Sequence, residues 1–168
     1  MLTLRLLVAA ALCAGCVSCQ TASKLFSSKK VEPATPTNQI NGVKTTAYTH
    51  SERDHKKYGA KTASGENLKY GTVRSAATDW SVYPVGTVFK IDGEPYLYQV
   101  DDYGSALVGT NTIDLYKPSK TAMNEYGSKQ VNISVVKWGS FSKSLEIMRP
   151  RSKFPHIKHM VQRIQGSS

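Results

Sequence analysis

From Val43 onward, apolar residues alternate with polar ones in short runs separated by Gly, Pro and Asp, the texture of β-strands joined by tight turns. The runs predict six strands, at about 43–48 (VKTTAY), 72–78 (TVRSAAT), 87–91 (TVFKI), 96–101 (YLYQVD), 112–116 (TIDLY) and 130–137 (QVNISVVK). The third and fourth are joined by DGEP, in which Asp92-Gly93 is a strong hairpin signal. One helix interrupts the series. In PSKTAMNEYG, Ser119 can cap the N-terminus, Ala122, Met123 and Tyr126 form an apolar face, and Gly127 is a C-terminal stop. So few strands without a disulfide favour a small closed barrel over an open sheet, because closure removes bare edges. The predicted fold is therefore mainly all-β: a six-stranded barrel spanning 43–139 with one short helix.

Both flanks break the pattern. Met1 to Cys19 (MLTLRLLVAAALCAGCVSC) has Arg5 and then an apolar run from Leu6 to about Val17. That run is shorter than the roughly 20 residues that span a bilayer, and it fits a secretory signal. All three cysteines, Cys13, Cys16 and Cys19, lie in it, so the predicted domain has no disulfide framework. CAGC and CVSC resemble lipoprotein signals, which offers Cys16 or Cys19 for lipidation; a cleaved signal without lipid is the alternative. Residues 20–42 (QTASKLFSSKKVEPATPTNQING) have the composition of a flexible tether. In the segment 140–168, Ile157, Met160, Val161 and Ile164 fall on one helical face, with Lys158 and Arg163 off it. A helix docked on the barrel, a surface-lying membrane or polymer contact, and disorder all remain open for this tail.

Charge sharpens the division. Residues 1–42 hold 4 basic and 1 acidic residue, 43–139 hold 12 and 10, and 140–168 hold 6 and 1, which gives +3, +2 and +5 of the net +10. The flanks are basic and the centre is nearly balanced, which suits contact with an anionic surface better than a nucleic-acid groove. Aromatic and basic residues are not interleaved as in single-strand binders, so no nucleic-acid partner is expected. His156 and His159 lie three apart, but His50 and His55 offer no obvious third ligand, so no metal site is expected.

Acidic residues concentrate in VDDYGSALVGTNTIDLY, Val100 to Tyr116. Four motifs occur in order: Ala76-Ala77-Thr78-Asp79, Pro84-Val85-Gly86-Thr87, Asp102-Tyr103-Gly104-Ser105-Ala106 with Gly109, and Ile113-Asp114-Leu115-Tyr116. Together they resemble the 3D, or three-aspartate, domain family of bacterial cell-wall proteins, which includes the catalytic part of membrane-bound lytic transglycosylase A. With KTASGENL upstream, the segments are also similar to the rare lipoprotein A and expansin-related barrels. The resemblance covers about residues 44–138 and implies a double-psi β-barrel. Two departures stand out: Ser105 replaces the family's second glycine, and GTNTID is one residue longer than the transglycosylase form.

The acids can be read on their own chemistry. Asp79 and Asp102 close strands, while Asp114 alternates with Ile113 and Leu115 and so faces away from both. Carboxylates gathered in one cleft repel one another, which raises the pKa of at least one. Such a group can act as a general acid and protonate a glycosidic oxygen. The family resemblance implies Asp114 as the acid that later serves as base while the muramic acid's own 6-hydroxyl attacks, leaving a 1,6-anhydro end. Asp102 and Asp79 would orient it, tune it or bind sugar hydroxyls. Asp101 is expected to be an exposed strand-end residue. Tyr48, Trp80, Tyr83 and Tyr103 can stack on sugar rings or pack in the core, and Ser105 places a hydrogen-bonding group at the site. Gly65, Gly104 and Gly109 are expected to adopt backbone shapes that other residues resist.

The resulting expectation is an exported cell-envelope lipoprotein, on an outer membrane or the periplasmic face of a membrane. It would cleave peptidoglycan glycan strands without a cofactor and contact a membrane through its anchor. A non-catalytic, expansin-like glycan-binding module and a true hydrolase are the competing functional readings.

Overall fold

The computed structural model describes residues 38–52 and 56–167. The expected signal, Cys16, Cys19, His55 and most of the expected tether lie outside the described residues. Among the described residues, no helix is long and apolar enough to cross a membrane.

Six strands close into a barrel: β1 (Gln39–Tyr48), β2 (Val73–Ala77), β3 (Val88–Ile91), β4 (Leu97–Asp102), β5 (Ile113–Tyr116) and β6 (Lys129–Lys137). Their spatial order is β1-β5-β2-β4-β3-β6. The β1/β5 and β2/β4 pairs are parallel and the other contacts antiparallel, the arrangement of a double-psi barrel. Alternation along the strands fills the interior. Val43, Ala76, Phe89, Val100, Ile113, Leu115 and Ile133 are almost wholly buried in one core. β1 starts at Gln39, earlier than the apolar pattern predicts, because a register shift between Ile40 and Val43 breaks the alternation there.

The predicted helix is α1 (Lys120–Tyr126). Ser119 caps it by accepting the Ala122 N–H, and Gly127 ends it with φ 63°. The tail after β6 forms two helices, α2 (Phe141–Met148) and α3 (Pro155–Gly166), rather than one. In α3 the predicted apolar face is buried in the barrel's own core cluster, so of the three alternatives the docked helix is the one realised. Periodicity misses α2 because it buries only Ser144 and Met148.

Local geometry explains how α2 attaches. The Val85 N–H donates to Ser144 Oγ at 3.0 Å, and Thr87 Oγ1 accepts the Gly139 N–H at 3.0 Å. A Cβ on Gly139 would lie 2.3 Å from the Val85 carbonyl oxygen, so only glycine lets the chain cross the Pro84–Thr87 turn this closely.

Candidate active site

Strand register gathers two of the three predicted aspartates. Ala77 of β2 pairs with Asp102 of β4 on one side and with Asp114 of β5 on the other, and Asp114 in turn pairs with Thr46 of β1. Paired residues on neighbouring strands share a face. Thr46, Asp114, Ala77 and Asp102 therefore form one row on the outside of the barrel, while Ile113, Leu115 and Ala76 point inward. Two strand spacings separate the Asp102 and Asp114 Cα atoms by roughly 9–10 Å, with Ala77 on the strand between them.

Asp102 reaches this row through an irregularity. Ala76 pairs with Val100 and Ala77 with Asp102, so Asp101 is the extra residue of a β-bulge. The bulge turns Asp101 into a buried pocket instead of the exposed strand end expected from sequence; it is 1% exposed. Asp101 Oδ2 accepts from Ser75 Oγ at 2.8 Å and from Lys69 Nζ at 3.2 Å, whereas Oδ1 has no hydrogen-bond partner among the described residues. Burial raises its pKa to about 6 against the lowering effect of Ser75 and Lys69, with the Asp102 charge adding a smaller increase.

Ala77, Asp102 and Asp114 of this row floor a cleft of about 940 Å³, a volume in the range of ligand sites. Tyr48, Asp102, Tyr103, Ser105 and Asp114, all predicted as site residues, line it. Asp102 Oδ1 accepts the Ala63 N–H at 3.0 Å and the Tyr103 N–H at 2.9 Å, and Oδ2 accepts from Tyr48 Oη at 3.2 Å. Tyr48 stays a donor, since burial pushes its phenol well above the ordinary value and the Asp102 and Asp101 charges push the same way.

Asp114 is held less tightly. Thr46 Oγ1 donates to its Oδ1 at 2.8 Å, and its side chain is half-buried at the cleft floor. Its pKa is raised to about 6, first by burial and then by the charges of Glu52 and Asp102, while the Thr46 hydrogen bond pulls it down. Burial, more than the mutual repulsion expected from sequence, is the larger cause of this rise.

Two predicted residues are not in the cleft. Asp79 is 1% exposed and saturated with donors: Oδ1 accepts from the Ser81 N–H and hydroxyl, and Oδ2 from the Gly109 N–H at 2.9 Å and Arg163 Nη1 at 2.9 Å. It ties α3 and the β4–β5 loop to the barrel. Trp80 is wholly buried, donates its indole N–H to the Asp102 carbonyl at 2.8 Å, and meets Tyr103 edge-on at 4.9 Å. It has no face open to a sugar and supports the cleft from beneath. Tyr83 is also buried and stacks on Trp138.

The departures from the family pattern are accommodated in loops. Ser105 is exposed at the cleft edge, at the start of a 3-10 turn, Ser105–Leu107. The longer loop before Asp114 turns through Gly109 and Asn111, both at positive φ, and leaves the pairing of Asp114 with Thr46 and Ala77 in place. Gly104, by contrast, has an extended φ of −127° and does not need glycine for its backbone shape.

Sequence reading overlooks several cleft residues. Lys57, Tyr58 and Lys61 contribute part of the wall, and Arg151, Lys153, Phe154 and His156 contribute another part. Tyr58 and Phe154 are exposed aromatics that can offer apolar faces to a ligand. The one available signal was Phe154-Pro155 ahead of an amphipathic run, which marks a helix start but not its neighbours. Among the described residues no group of three or more His, Cys, Asp or Glu is placed to hold a metal ion.

Residues 74–137 match the family model of the 3D domain, and all three aspartates fall inside the match. The matched segment runs from β2 through β6 of the closed six-stranded barrel. Over 101 residues it is 34% identical to "Putative cell wall shaping protein YabE" of Bacillus subtilis, a match that covers 60% of this chain. The chain aligns with only 24% of that relative's length.

Proposed function

We propose that this chain is an exported cell-wall enzyme that cleaves glycosidic bonds of peptidoglycan by the lytic transglycosylase route, with Asp114 as its single acid–base residue. The observation that carries this reading is the Asp114 carboxyl at the floor of an open cleft, with its pKa raised to about 6. The 3D domain and the cell-wall designation of the Bacillus subtilis relative favour the same substrate.

In this mechanism protonated Asp114 donates to the glycosidic oxygen as the bond from that oxygen to the muramyl C1 breaks. The 6-hydroxyl of the same muramyl residue then bonds to C1 and returns its proton to the Asp114 carboxylate. No water is consumed, and the acid is regenerated. Asp102, fixed by Ala63, Tyr103 and Tyr48, offers acceptor oxygens on the same face toward positive charge developing at the sugar ring. A lipid on Cys16 or Cys19, with the segment ahead of β1 as tether, would hold the domain beside the wall.

The test is incubation of the protein with purified sacculi and mass analysis of released fragments. Anhydro-ended fragments that fall about 10²- to 10⁴-fold with Asp114→Asn are expected. Reducing ends would replace this reading with a hydrolase that uses Asp102 as second carboxylate. Sacculus binding with no release would make the chain a glycan-binding module.

A further inference from the structure

Part of the cleft wall, including Arg151 and Lys153, comes from outside the family match, which stops at residue 137. Arg151, in the turn between α2 and α3, donates from Nη1 to the Ala63 carbonyl at 2.8 Å and to Tyr103 Oη at 3.2 Å. Ala63 and Tyr103 are the two residues whose backbone N–H groups hold Asp102. One guanidinium nitrogen is thus locked to the frame of the site, while Nε and Nη2 have no protein acceptor among the described residues. Lys153, on the same wall, is exposed, and neither cation is ion-paired among the described residues.

An arginine fixed at one nitrogen and open at the others is a preorganised fork for a planar anion, and a nearby lysine adds a mobile point charge. Asp102 lies close by and is held by the Ala63 and Tyr103 N–H groups and the Tyr48 hydroxyl. Acids on the floor and cations on the wall suit a ligand whose sugar ring sits over the carboxyls while an attached negative group reaches sideways.

We infer that Arg151 and Lys153 form a carboxylate-recognition subsite, which makes the C-terminal segment the part of this chain that selects glycans bearing free carboxylates over neutral glycans. This inference rests on the reading of the cleft as a glycan site. It adds the substrate class: muramyl saccharides whose lactyl or peptide carboxylates are unblocked.

The test uses the full chain and one soluble muramyl oligosaccharide in two forms, with its carboxylates free and with the same groups amidated, and compares Kd by calorimetry. The free form is expected to bind about tenfold or more tightly, with the difference shrinking at high salt. Lys153→Gln, a change at an exposed side chain, should cut that ratio several-fold, and Arg151→Gln should bring it close to one. Equal binding of both forms, or an unchanged ratio in both variants, overturns the subsite. Failure of either saccharide to bind overturns it together with the glycan reading. A preserved preference without cleavage of sacculi would sink the transglycosylase reading and leave the subsite standing.

Discussion

Arg163 on the last helix reaches Asp79 at the end of β2, 84 residues earlier, with Nη1 to Oδ2 at 2.9 Å. The carboxyl is 1% exposed and the guanidinium side chain 41%, so the pair is buried on one side and wet on the other. Asp79 also holds the Gly109 N–H and Ser81, which makes it a junction between α3, the β4–β5 loop and the barrel rather than a member of the cleft.

Breaking that junction should cost stability more than chemistry. Arg163→Ala leaves a buried carboxylate short of its cation, and the half-exposed arginine tempers the loss to about 1–3 kcal/mol. Urea midpoints measure it. Fragment release per folded molecule should change far less than with Asp114→Asn; an equal loss would return Asp79 to the reacting groups.

Thr46 lowers the proton affinity that burial gives Asp114. Its hydroxyl stabilises the charged carboxylate, so removing it with Thr46→Val must raise the Asp114 pKa further above 6. Activity that needs protonated Asp114 falls as pH climbs through that pKa. The alkaline limb of the rate profile is therefore expected near pH 6 in the unaltered chain and roughly one unit higher in the variant. A downward move of the limb would contradict Asp114 as the acid.

Ala77 lies in the cleft floor on the strand between the two carboxyls, clustered with Tyr48 and Leu107. In Ala77→Leu the added side chain rises between Asp102 and Asp114, both its strand partners. Glycan affinity should drop at least tenfold while far-UV circular dichroism stays unchanged. Retained binding would mean that the ligand does not cross this row.

Asp101 makes the fold sensitive to pH. Its buried carboxyl has a folded-state pKa of about 6, above that of an unfolded chain. The folded state thus holds a proton that the unfolded state has released, so this contribution is full below about pH 4 and lost as pH rises through 6. Asp101→Asn imitates the protonated form. Relative to the unaltered protein, it should gain on the order of 2–3 kcal/mol between pH 4 and pH 7.5, read from urea melts at each pH. A pH-independent difference would show that Asp101 does not titrate in this range.

Much of the architecture was legible along the chain. Six alternating runs, Asp92-Gly93 and the Ser119–Gly127 caps specify strands, a hairpin and α1 through local rules, because alternation and turn chemistry act over a few residues. Alternation also set Asp114 apart from Ile113 and Leu115 before any neighbour was known. What the chain alone could not decide is which strand lies beside which. Only closure in the order β1-β5-β2-β4-β3-β6 brings Thr46 and Ala77 against Asp114, and only the β-bulge sends Asp101 inward and Asp102 to the cleft. The roles of Asp79, Trp80 and Arg151 were equally hidden, since each is fixed by partners more than 20 residues away. Local sequence determines which elements form and which way their side chains alternate; burial and long-range partners, which exist only after the barrel closes, determine which acid is placed to hold a proton and which is locked in structure.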